Sequence, residues 1–165
     1  MLTPPKTEMR AAQPYIYVLF TVTMQQMQRP ANEGFPLLFA HLEKHGLKPA
    51  GDAFYNYKRI NMAETLDVEA GIAVEAPGPE EGAVRNGILP SGRFATATWH
   101  GHPDGLVKAT GELIDWVVSE RLAFDMASKL DGDHFACRLE IYHSDPVEDP
   151  DMSKWQTELA FKLKD

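Results

Sequence analysis

One cysteine, Cys137, is all the thiol that the 165 residues contain, so an internal disulfide is excluded and no Cys/His cluster suggests structural zinc. Long apolar runs are missing too. Nothing approaches the roughly 20 residues of a membrane span, and the leading MLTPPKTEMR lacks the apolar centre of a signal peptide. Basic residues are outnumbered, 16 Lys+Arg against 24 Asp+Glu, a formal charge of -8. Such a surface repels phosphate backbones, which argues against direct nucleic-acid binding, and it favours cationic small molecules. There is no G-x-S-x-G nucleophile context and no glycine-rich phosphate loop. The acidic run DPVEDPD lacks the alternating ligands and central glycine of a calcium loop. These absences predict a soluble, cytoplasmic protein with no metal and no cofactor.

What is present suits one folded domain. Apolar residues make up 44% and charged residues 24%, enough to build a core and too little charge for wholesale disorder. A polar lead (1–11) precedes a strand at 14–24, where Ile16, Val18, Phe20 and Val22 alternate with Tyr15, Tyr17, Leu19 and Thr21. Phe35, Leu38, Phe39 and Leu42 then keep a helical period that Gly46 ends. Strands are expected at 54–60 and 66–74, and EAPGPEEGA (75–83) reads as a loop. Runs 84–89 and 93–99 look like strands joined by a Pro90-Ser91-Gly92 hairpin turn. A second helix opens near His102-Pro103-Asp104 and carries Leu106, Ala109, Leu113, Trp116 and Val117 as its apolar stripe. Strands at 134–143 and 155–163 close the chain.

Strand, helix, strand, strand thus occurs twice, over about 12–76 and 83–164. The expectation is an α+β fold: duplicated, pseudo-twofold β-α-β-β units forming one curved antiparallel sheet with two helices in a single domain, 1–165. In that register Glu69 corresponds to Glu158, each a carboxylate inside an otherwise small or apolar strand. A strand-centre carboxylate is costly unless exposed, paired or hydrogen-bonded. Glu69 shares its face with Gly71 and Ala73, Glu140 with Tyr142, and Tyr55 with Tyr57. Such a surface suits a cleft for a flat cationic or aromatic ligand. It equally suits a solvated sheet face whose glutamates keep the chain in solution. Trp99, Trp116 and Trp155 fill the core or wall a pocket. His100, His102 and Asp104 have a metal-like spacing but sit where strand gives way to helix, and His102 reads as a helix start. Cys137 reads as a buried, inert thiol.

DVEAGIAV (67–74), GILPSGRFATATWHGHPDGL through ELIDW (87–116), EIYHSDP (140–146) and KWQTEL (154–159) together resemble the GyrI-like small-molecule-binding domains. Those domains are related to the effector-binding domains of bacterial multidrug-responsive regulators. The resemblance runs from about Pro14 to the end and departs from the common H-x-G-P-Y form at HGHPDG (100–105). It implies a cleft between two halves that takes hydrophobic, often cationic or polyaromatic compounds over an acidic residue, here Glu158, beside an aromatic matched by Tyr142. The residues expected to contact a ligand are Glu158, Tyr142, Glu140, Trp99, Trp116, Tyr15 and Glu69. Two alternatives come with the resemblance. One is a hydrolase opening strained cyclopropane rings of DNA-alkylating natural products, with Glu158 catalytic. The other is a gyrase-inhibitor-like protein-interaction role. No DNA-reading helix-turn-helix is expected from the dozen polar residues ahead of the resemblance.

Overall fold

The structure is a computed structural model describing residues 1–165. Ten antiparallel strands form one sheet: β1 (Lys6–Arg10), β2 (Gln13–Val22), β3 (Pro49–Ile60), β4 (Leu66–Val74), β5 (Arg85–Leu89), β6 (Gly92–His100), β7 (Met126–Lys129), β8 (Gly132–Phe135), β9 (Arg138–Tyr142) and β10 (Gln156–Lys162). Helix α1 (Phe35–His45) follows β2, and α2 (Leu106–Ser119) follows β6. Across the sheet the strands run β1-β6-β10-β9-β3-β4-β2-β5, with the β7–β8 pair attached to β3. Outward from the β9–β3 seam, one side runs β3, β4, β2 and the other β9, β10, β6, so the strand that precedes each helix stands third on its side, whereas β7 and β8 intervene between α2 and β9. No helix is long and apolar enough to cross a membrane.

Local chemistry sets the helix limits. Gly46 adopts φ 61, and the Leu47 N–H bonds the Leu42 carbonyl at 2.9 Å, closing α1 with the left-handed cap that glycine permits without steric cost. The chain enters α2 through a short turn at Pro103–Gly105, where the His102 side chain accepts from the Asp104 N–H. Both helices cover the same sheet face. Leu38 and Leu42 pack on Ile16, Val18, Ala70 and Ile72. Ala109, Leu113 and Val117 pack on Ala95, Ala97, Leu159 and Phe161.

Three expectations need correction. Segments 84–89 and 93–99 are strands but not a hairpin: β5 pairs with β2, whereas β6 pairs with β1 and β10. Pro90 and Ser91 therefore link opposite ends of the sheet. A link that short forces the sheet to curl into a half-barrel, with the helix-free face inside. The polar lead is also not featureless, because Lys6–Arg10 extends the β6 edge as β1. The run 134–143 is broken: β8 pairs β3 at Arg59–Ile60 and β9 pairs it at Phe54–Asn56, on either side of a bulge between Tyr57 and Arg59.

Candidate functional site

The inside of the half-barrel holds a cavity of about 440 Å³. Strand register decides what lines it. Phe54 pairs with Ile141, Ile141 with Glu158 and Glu158 with Thr98, so these side chains share the helix-free face. Leu89, Phe94 and Leu139 complete the apolar wall, with Ala73 and Gly51 beneath open space. Gly71 keeps that wall flat: a Cβ there would lie 2.6 Å from the Phe54 ring.

Charged groups gather at one end of the cavity. Glu158 is held from two sides, by the Arg10 guanidinium on β1 and by His143 Nε2 at 2.8 Å. Arg10 also donates to Glu8 at 3.0 Å, and His143 Nδ1 lies 2.7 Å from Asp52. His143 and Arg10 hold the Glu158 carboxyl below the usual carboxylate range. The hydrogen bond to Glu158, supported by Asp52, raises His143 to about 9, so it is an imidazolium at neutral pH. Three carboxylates against two cations leave this end of the cavity at about −1. Glu158 also borders a smaller polar recess with Lys6, Glu8 and Thr96, whose buried hydroxyl has no partner.

Glu69 lies on the same face, one strand beyond Phe54 and Asn56, but in another environment. It is buried, and neutral donors serve it: Tyr15 Oη at 2.6 Å and Asn56 Nδ2 at 3.0 Å. Burial raises its carboxyl and, more strongly, the Tyr15 hydroxyl. Thus Glu158 and Glu69, equivalent in the sequence pattern, differ as an ion-paired cleft carboxylate and a buried structural one.

The remaining expected contacts sit elsewhere. Glu140 pairs with Tyr55 and Leu159, which places it on the helix-bearing face. There Tyr142 donates to it at 2.5 Å and Tyr57 at 3.3 Å, and burial pushes all three groups upward in pKa. Phe35 and Tyr55 pack edge-on to Tyr142, and Arg138 lies over the Phe161 and Phe135 rings. Trp99 and Trp116 pack against the α2 cluster, Trp99 donating to the His102 carbonyl at 3.0 Å. Of the seven residues, Glu158 and Glu69 with its Tyr15 partner share the cavity's face, whereas Glu140, Tyr142, Trp99 and Trp116 do not. The sequence does not single out Arg10, Asp52 or His143: Arg10 and Asp52 lie outside the expected strands, and His143 is the last residue of one, with no local sign of its distant partners. Cys137 is buried, and that burial pushes its thiol up to about 12.

The molecule is thus a curled antiparallel sheet with two helices on one face and an acid-bearing apolar cavity on the other. The sequence matches the GyrI-like small molecule binding domain family over residues 3–164, and the chain belongs to that family. No curated protein matches it. Among solved structures, the EcmrR C-terminal domain is 19% identical at a TM-score of 0.77, over 98% of this chain and 97% of that one. In the EcmrR–DNA complex the same likeness spans 57% of the EcmrR chain, with 19% identity, a TM-score of 0.78 and 98% of this chain covered. SAV2435, solved with tetraphenylphosphonium, is 13% identical at a TM-score of 0.63, over 98% of this chain and 94% of that one. A hydrolase from Listeria innocua is 12% identical at 0.61, over 97% and 91%. At these identities the likeness is one of fold.

Proposed function

We propose that the protein binds hydrophobic, cationic or polyaromatic small molecules in the cleft between the two sides of its half-barrel, over Glu158. The observation that supports this reading is the cavity itself: Phe54, Phe94, Leu139 and Ile141 as an apolar wall, with an ionised carboxylate at its end. Aromatic faces and a net negative end attract a flat or propeller-shaped cation more than a neutral analogue. Because Arg10 already occupies Glu158, a cationic ligand takes over that contact while Arg10 retains Glu8. Tetraphenylphosphonium and rhodamine-type dyes are the probes, read by thermal shift. Glu158→Gln should weaken the cations by about 1–3 kcal/mol and spare neutral polyaromatics. If neither probe raises the melting temperature at concentrations well above a micromolar Kd, the reading fails.

The line Asp52–His143–Glu158 favours a second reading, hydrolysis of strained cyclopropane rings conjugated to a carbonyl. Glu158 orients a water whose oxygen bonds the ring carbon as the ring C–C bond breaks. The electron pair passes to the carbonyl oxygen, which takes the His143 proton; the water's proton returns to His143 by way of Glu158. Ring-opened product from a cyclopropane-fused indole, lost in both Glu158→Gln and His143→Gln, separates turnover from binding. Background rates leave binding alone.

A further inference from the structure

Away from the cleft, α1 and the loop that follows β4 bring two imidazoles and a carboxylate together. His41 and His45 lie one helical turn apart, with ring centroids 4.5 Å apart. Glu81 approaches from the loop, its Oε2 2.9 Å from His45 Nε2. One ligand atom from each of the three residues falls within 4.8 Å of the other two. We propose that His41, His45 and Glu81 form a binding site for a first-row divalent metal of the zinc type, which fastens the 75–84 loop to α1.

Four observations support it. The donor set, two histidines and one carboxylate, matches three-ligand zinc chemistry with water in the fourth position. The cluster is graded in burial: His41 is 5% exposed, whereas Glu81 is open to solvent, so an ion can enter while one ligand stays anchored. His41 Nε2 lies 2.9 Å from the Pro79 carbonyl, the kind of outer hydrogen bond that fixes a ligating imidazole and leaves Nδ1 available. Finally, Lys44 engages the other Glu81 oxygen, Oε1, at 2.5 Å, so Oε2 remains free to ligate once His45 turns from hydrogen bond to coordination. Bond lengths near 2.0–2.2 Å place tetrahedral ligand atoms about 3.3 Å apart. Rotation of the exposed Glu81 and the His45 ring supplies that contraction. Unlike the His100/His102 spacing, this set joins two elements, and its His-x-x-x-His helical spacing is legible in the sequence.

The test uses tag-free, chelator-stripped full-length protein titrated with Co²⁺ and Zn²⁺. One Co²⁺ should bind per chain with visible d–d absorption, Zn²⁺ should displace it, and stoichiometric Zn²⁺ should raise the melting temperature. His45→Ala and Glu81→Gln, both at accessible side chains, should each weaken Co²⁺ binding by about tenfold or more. Lys44→Met should tighten it, because an ammonium no longer opposes the ion; a purely structural clasp would be loosened by the same change. Amide exchange across 76–84 should slow when Zn²⁺ is added. Absence of saturable Co²⁺ binding, or binding unaltered by His45→Ala and Glu81→Gln, overturns the proposal.

Discussion

At the scale of single residues, the cleft is governed by one imidazole between two acids. His143 moves from the ordinary 6.5 to about 9 on folding, so its contribution to stability is complete below about 6.5 and is lost as pH rises through about 9. Glu158 is shifted the other way and contributes above the unfolded carboxylate range, losing its effect as pH falls. The melting temperature should therefore be highest on this account near pH 5–6.5 and decline toward pH 9. With a third of the His143 side chain exposed, solvent screening limits the effect to about 1 kcal/mol or less. His143→Gln should flatten that decline in a melting series from pH 6 to 9.5, and NMR should show the His143 imidazole titrating near 9. Tyr15→Phe tests the other acid. It removes the 2.6 Å bond to buried Glu69 and should cost about 1–3 kcal/mol in urea unfolding. That Glu69 and Glu158 interrupt apolar strands was visible in sequence; which would be ion-paired was not, since Arg10 lies 148 residues from Glu158.

At the scale of elements, two glycines separate close packing from open helix surface. Gly71→Ala pushes a methyl into the Phe54 ring across the β3–β4 pair and should destabilise by about 1–3 kcal/mol while displacing the aromatic wall of the cleft. Gly111, inside α2, has open space around its Cβ position, so Gly111→Ala should stabilise by about 0.5–1 kcal/mol. Urea melts of both variants check the pair. Strong periodicities such as 35–45, 66–74 and 106–119 were legible, because one face of each meets the core. Weakly apolar β1 and the β7–β8 pair were not, since partner strands stabilise them rather than their own pattern. The mistaken 84–99 hairpin has the same origin: a two-residue link fits a hairpin locally, but β5 pairs with β2 and β6 pairs with β1 and β10, at opposite ends of the sheet.

At the scale of the whole molecule, a net charge of -8 acts on any cation approaching the cleft. Phosphonium affinity should fall as salt rises from 50 to 500 mM, roughly in step with the shortening Debye length. Arg10→Met removes the internal cation from Glu158 and should tighten phosphonium binding by about tenfold. Calorimetric titration at fixed salt measures both. Unchanged affinity in Arg10→Met would place the ligand away from Glu158.

Alternation and helical period, which depend on near neighbours, determined the strands, the two helices and the α+β class, and the spread of family-like motifs pointed to the GyrI-like domain. The tertiary structure decided the rest. Strand order brought Arg10 of β1 and His143, itself held by Asp52 of β3, to one carboxylate. Pairing register sent Glu158 to the cavity and Glu140 with Tyr142 to the opposite face. A loop folding back set Glu81 against two histidines. Each of these depends on contacts between residues far apart in the chain, and no local period encodes which distant partners will meet.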